Sequence, residues 1–282
     1  MSGASLWTPS PANALHYSKW NSIMTDQDSP QLKMLKLAWS NLDWGKEEGG
    51  SAGSSFLSLP ETETLSAEER EALECVVARD KRKWANMPML RDNHAFRVAP
   101  LFAGLLQSPL LARFWAEIGD FFITAAERGT LTECDRAWID MGLNPLIVNS
   151  WTQSGNICVA AEQGISAEDI VAIREGRLDS LAAEVRQIVD LAQATVRGCV
   201  SMDQFKELAA RRGAKWVVEA IGYAVYRSGL ALIVSAMWQI QGIEGGDAIM
   251  QEMIEALVDG SLGEQKMMDK SAFAKERMGG GS

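Results

Sequence analysis

Two histidines, His16 and His94, are the whole imidazole supply of this 282-residue chain, and neither falls in an H-x-x-x-H or E-x-x-H arrangement. A metal held by clustered His, Cys, Asp or Glu is therefore not expected. Cysteine is nearly as scarce: Cys75, Cys134, Cys158 and Cys199 stand far apart, with no C-x-x-C pair among them. Three of these lie in helical patterns, where a single cysteine is expected to behave as a small buried hydrophobe. No G-x-S-x-G marks a nucleophile elbow. The glycines of 45–53 and 242–246 follow no strand pattern and match no phosphate loop, so nucleotide binding is not supported.

Positive charge is also short, with 27 Lys and Arg against 37 Asp and Glu and a net charge of -10. A nucleic-acid partner would need the reverse balance. Long apolar runs are missing as well. The longest, Leu230 to Val234, is far below the roughly 20 residues of a membrane span. Residues 6–20 contain Pro9, Pro11, Asn13 and Ser18, which leaves no apolar signal core. Reduced thiols, a cytoplasmic address and no membrane partner are the expectation.

What is present is helix-forming. Hydrophobic residues make up 47% of the chain, with ten Trp against three Tyr, enough to build a sizeable core without staples. Residues 1–58 read as an extension, with a short amphipathic stretch at 31–42 and a Gly/Ser-rich segment after it. Residues 59–262 read as a helical domain. Residues 263–282 read as a polar tail, whose last four resemble an expression linker.

Helix starts are predicted where Ser66 pairs with Glu69, Thr132 with Asp135, Ser166 with Asp169 and Ser201 with Gln204. Ser108-Pro109 opens the clearest amphipathic helix, carrying Leu111, Phe114, Trp115, Ile118, Phe121 and Phe122. Asn144-Pro145 is predicted to open a further helix running to Gly164. Residues 215–241 are apolar nearly all round, which implies burial inside the protein or in an oligomer. An amphipathic helix over 247–257 follows. No segment alternates as a strand, so the fold class is all-α.

The candidate site lies on the helix after Asn144. Asn149, Thr152, Gln153 and Asn156 are spaced i, i+3, i+4 and i+7, a stripe of neutral polar groups on a largely apolar helix that includes Trp151. Such groups must find partners if buried. They either bond neighbouring helices or meet a ligand, and the sequence leaves both open. Tyr223 and Arg227, i and i+4 on the long apolar helix, are candidates to bind substrate, as is Tyr226. An arginine there needs an anion, and a substrate carboxylate, Glu219 or Asp140 would each serve. Trp138 and Trp151 are candidate pocket walls and otherwise core. His94, in RDNHAF, is the one candidate for acid–base work; a loop histidine bonded to backbone is the plainer reading.

Three segments carry a resemblance: residues 99–131 (APLFAGLLQSPLLARFWAEIGDFFITAAERGTL), residues 131–173, and residues 199–230 (CVSMDQFKELAARRGAKWVVEAIGYAVYRSGL). Within the second, Leu131, Thr132, Asp135 and Arg136 fall where family members read L-S-P-R-E-R. Ala161, Gly164, Ile165 and Ser166 fall on A-x-x-G-[LI]-[ST]. This half of the chain resembles the carboxymuconolactone decarboxylase and alkylhydroperoxidase-D-like family. The resemblance implies a helical bundle that forms homo-oligomers through helical faces, with the helix over 215–241 a candidate surface.

The family's peroxidase branch carries C-x-x-C-x-x-x-H, and the corresponding positions here are Asn149, Thr152 and Asn156. Neither Asn nor Thr cycles between thiol and disulfide, so the dithiol reaction is excluded. The acidic position that often follows the family's Arg is Ala137 here. What remains is an expected cofactor-free lyase or isomerase/cyclase acting on a small hydrophobic, ring-bearing metabolite, with specialised metabolism the expected setting. Asn149 and Asn156 would stabilise an enolate or carbonyl, and Trp138, Trp151, Thr152, Gln153, Tyr223, Tyr226 and Arg227 would bind substrate. A non-catalytic ligand-binding or assembly protein of the same fold is the alternative. A thiol peroxidase built on Cys158 stands third.

Overall fold

The capping signals become nine α-helices among the residues that the computed structural model describes, 60–84, 104–147, 150–240, 247–260 and 278. No strand occurs among these residues, and the fold is all-α. The extension 1–58, His94, Asn149 and all of the tail but Met278 lie outside the described residues, as do the side chains of Trp151 and Trp238.

Helix α1 (Ala67–Trp84) starts where Ser66 Oγ accepts the Glu69 N–H at 3.2 Å and the Glu69 carboxylate accepts the Ser66 N–H at 2.9 Å. After a 3-10 turn at Gly104–Gln107, α2 (Pro109–Ile123) opens on its proline. Helix α3 (Glu133–Leu143) is capped reciprocally by Thr132 and Asp135, each bond 3.0 Å long. Then come α4 (Ser150–Glu162), α5 (Ala167–Arg174), α6 (Ala183–Val196), α7 (Met202–Arg212), α8 (Ala214–Ile240) and α9 (Asp247–Val258). Gly164 joins α4 to α5 at φ +74°, a left-handed conformation that favours glycine.

Helix α3 is the centre of the molecule. Its Ile139 and Leu143 enter a core with Val76 of α1, Phe122 of α2, Leu191 of α6 and Leu230 of α8. Its Ala137 and Met141 enter a second core with Ile157 of α4, Ile170 of α5 and Ile254 of α9. Gly142 lets α6 come close: a Cβ at Gly142 would stand 3.2 Å from both Cα and the carbonyl oxygen of Val189.

Several expectations are corrected here. The segment after Asn144 does not continue as one helix. Asn144–Leu146 forms a 3-10 turn, Ile147 is extended, and α4 begins only at Ser150. Pro145 supplies no N–H to a helix, and the side chain of Gln153 takes the turn's carbonyls instead. On α2 the small residues Ala112, Ala116 and Gly119 face inward, while Leu111, Phe114 and Phe121 are exposed. Helix α8 likewise shows Val218, Val225 and Leu232 to solvent rather than burying its whole circumference.

Of the cysteines only Cys158 is buried; Cys75, Cys134 and Cys199 are exposed, and all four are free. Helical pattern alone does not say which way a small residue points. Residues Ala214–Ala236 of α8 also form a stretch long and apolar enough to cross a membrane by length and composition. A search for unbroken apolar runs passes over it because Glu219 and Arg227 interrupt. In the fold this helix packs across α2, α3, α6 and α7.

Replacing Gly142 by Val should drive two methyl groups into the α6 backbone. The expected loss is about 1–3 kcal/mol, read as a lower denaturant midpoint with an unchanged slope.

Candidate functional site

Arginine and aspartate meet inside this bundle, where burial makes an unpaired charge costly. On α8, Tyr223 and Arg227 are one turn apart and both reach α3. Tyr223 donates its hydroxyl to Asp140 Oδ2 at 2.9 Å, and Arg227 Nε donates to Asp140 Oδ1 at 2.7 Å. Arg227 Nη2 also donates to Asn156 Oδ1 on α4. Asn156 Nδ2 then donates to Asn144 Oδ1 at 2.7 Å. The result is a continuous polar chain, Tyr223–Asp140–Arg227–Asn156–Asn144, linking α8, α3 and α4 through an apolar interior.

Burial alone would favour a neutral Arg227 guanidine, but the Asp140 carboxylate outweighs it and holds the group charged. Burial, reinforced by the Asp140 charge, pushes the Tyr223 phenol up and keeps it protonated as a donor. The Arg227 side chain is 22% exposed against 5% for Asp140. Among the described residues no hydrogen bond reaches Arg227 Nη1.

The predicted stripe is partly consumed by the fold. Gln153 Nε2 donates to the carbonyls of Asn144 at 2.9 Å and Ile147 at 2.6 Å, while Asn144 Nδ2 donates to the Gln153 carbonyl at 3.2 Å. These bonds close the turn that precedes α4. Thr152 is buried, and Asn156 is the stripe member that joins the Arg227 chain. Asn149 and His94 lie outside the described residues.

Tyr226 points elsewhere, into an aromatic group with Trp115 at 5.6 Å and Phe122 at 5.7 Å between ring centroids. Its hydroxyl lies over Gly119, where a Cβ would come within 2.6 Å. Trp138 is partly buried and packed against both cores.

Asn144 is absent from the sequence-derived candidates, and Asp140 entered only as one possible partner for Arg227. A signal for both existed: Arg136, Asp140 and Asn144 recur every fourth residue, one polar face on a helix otherwise destined for burial. Arg136 caps carbonyls, donating through Nη1 to Phe122 at 2.7 Å and Leu131 at 3.1 Å. Asp135 receives Trp216 Nε1 at 3.2 Å.

Within the described residues no group of three or more His, Cys, Asp or Glu is placed to hold a metal. Chemically the arrangement offers a fixed cation with an amide beside it, which can bind and polarise an oxyanion or carboxylate; the Tyr223 proton is already donated to Asp140. Burial pushes the Cys158 thiol up, which opposes thiolate formation. Comparison with protein-family models, curated proteins and solved structures finds no match to this chain.

Asp140→Asn should leave Arg227 without its counter-charge and cost about 3 kcal/mol. Pairing it with Arg227→Met should cost less than the sum of the two single changes, measured by a double-mutant cycle in urea. In native protein at pH 8, iodoacetamide should label Cys75, Cys134 and Cys199 and spare Cys158 until denaturant is added, as read by peptide mass spectrometry.

Proposed function

We propose that this chain is a cofactor-free lyase or isomerase/cyclase that binds a small hydrophobic, ring-bearing metabolite by an acidic or phenolic end. One observation supports the reading above others. Arg227 is held from one side by Asp140 and Asn156, while among the described residues no hydrogen bond reaches its Nη1 and its side chain is partly exposed. A guanidinium oriented this way has little rotamer freedom left to lose when it takes a carboxylate or phenolate.

Such a site favours substrates that carry their own reactivity. In a β-keto or vinylogous acid, the bond to the carboxyl carbon breaks, carbon dioxide leaves, and the electron pair moves onto the carbonyl oxygen. The resulting enolate is the charge that Arg227 and Asn156 would stabilise before a proton returns to carbon. His94 is the group proposed to handle that proton. In a ring closure or rearrangement the same donors would hold the reactive conformer. The likeness of residues 99–230 to the carboxymuconolactone decarboxylase-like pattern agrees with the first of these.

A second reading, a non-catalytic ligand-binding or assembly protein, is favoured by a different observation. The Gln153 carboxamide donates to the turn's carbonyls, and Asn156 bridges Asn144 and Arg227. Those bonds explain the residues as structure.

The test is mass spectrometry of a metabolite extract from the source organism, incubated with and without the purified chain. A feature that loses the mass of carbon dioxide identifies a decarboxylase; an unchanged mass at a new retention time identifies an isomerase or cyclase. Arg227→Lys, which keeps the charge but loses the fork, should then lower kcat/KM on the order of 100-fold, more than its accompanying fall in Tm explains, as read at a temperature where the variant is fully folded. No altered feature under any condition would sink the enzyme reading in favour of the second.

A further inference from the structure

The outer surface of α2 and α8 has a composition that the interior site does not explain. Leu111, Phe114 and Phe121 of α2 are 45%, 56% and 44% exposed, and Val218, Val225 and Leu232 of α8 are 59%, 56% and 68% exposed. The two helices run antiparallel, since Phe122 stands over Gly222, Tyr226 over Gly119 and Trp115 over Gly229. On each helix the exposed stripe is displaced in the same rotational sense from that contact line. For an antiparallel pair this brings both stripes out on one side, as a single face.

On α8 this face is neutral as well as apolar; on α2, Glu117 is exposed between Phe114 and Phe121 and paired with Arg113, and Arg128 lies over the Phe121 ring. Beyond Lys215, the only charged residues of α8 are Glu219 and Arg227. Glu219 lies 3.8 Å from Arg128 with a side chain only 10% exposed, and Arg227 is turned in to Asp140. Every partly or fully exposed position from Val218 to Ala236, those two aside, is Val, Ile, Gly, Ser, Leu or Ala. The six large residues, each about half exposed, present on the order of 600 Å² of apolar side chain. A typical monomer's largest patch reaches about 300–600 Å², and a stable interface takes roughly 800 Å² from each partner. With their smaller neighbours counted, these residues come close to that requirement.

We propose that the face is a two-fold interface with a second copy of this chain, centred on Val225. Two properties select a copy over other occupants. Val218, Val225 and Leu232 recur every seventh residue, so the stripe is symmetric about Val225. An antiparallel mate then sets Val225 against its own counterpart and Val218 against the partner's Leu232, the self-complementarity an isologous contact requires. The second property is charge. Two copies each carrying a net -10 repel one another over most of their surface, and this stripe is where they can approach without placing like charges together. Phe114 and Phe121 would flank the seam.

The experiment is light scattering behind size exclusion on the full chain over a range of micromolar concentrations, with wild type and Val225→Glu compared. The expected result is a wild-type dimer, or a higher even-numbered assembly built on it. For Val225→Glu the expectation is at least a 100-fold rise in dimer dissociation constant, with an unchanged helical circular dichroism spectrum. A variant that fails to fold is covered by a second, Val225→Cys with Cys75, Cys134 and Cys199 replaced by Ser. Under mild oxidation it should form a disulfide-linked dimer, whereas Val218→Cys in the same background should link only when mixed with Leu232→Cys. A wild-type monomer throughout overturns the proposal, whether another segment of the chain covers the face or the protein instead sediments with phosphatidylcholine vesicles. A dimer that Val225→Glu leaves intact, together with no Val225→Cys cross-link, overturns it equally.

Discussion

A carboxylate in the middle of a buried helix sets the terms for the rest of this fold. Asp140 sits on α3 with 5% of its side chain exposed, between two hydrophobic cores, where an unpaired charge would cost several kcal/mol. Its two oxygens are answered from one helix, Oδ2 by Tyr223 and Oδ1 by Arg227. That requirement places α8 against α3 with a defined rotation and register, because only one face of α8 carries both donors. Arg227 then reaches Asn156 and ties α4 into the same arrangement. The polar chain therefore joins three helices whose apolar surfaces alone would tolerate several alignments.

The same rotation decides what α8 shows to solvent. With Tyr223 and Arg227 turned to α3, and Gly222 and Gly229 under Phe122 and Trp115, the opposite stripe of Val218, Val225 and Leu232 must point outward. The apolar outer face and the charged inner chain are two consequences of one constraint. Glycine takes part in both, since α2 and α8 approach closely enough that a Cβ at Gly119 or Gly229 would meet Tyr226 or Trp115 within 3 Å. On α2, Trp115 and Phe122 fill the contact over the α8 glycines beside the buried Ala112 and Ala116, and Leu111, Phe114 and Phe121 are left on the outer side.

Much of the fold was legible before any coordinates. Thr132 with Asp135, and Ser66 with Glu69, are local rules: each hydroxyl and carboxylate satisfies donors within its own first turn, so neighbours in sequence suffice to predict it. The break after Asn144 was not legible. Pro145 is as welcome at a helix start as in a turn, and the choice was made by Gln153, nine residues beyond Asn144, whose side chain closes the turn from outside it. Arg227 was recognisable as a residue in need of an anion. Which anion was a matter of which helices lie side by side.

By itself the sequence determined the helices and their caps, the lack of a thiol pair or His-based ligand set, and the pairing requirement of a lone arginine in an apolar helix. Each of these follows from side-chain chemistry within a turn or two of chain. Only the tertiary structure decided that Asp140 answers Arg227, that Tyr226 joins Trp115 and Phe122, that three of four cysteines face water, and that α8 keeps one bare face. Periodicity shows that a helix has an apolar side, but the orientation of that side is set by contacts with partners far away in sequence, whose free energy no local window contains.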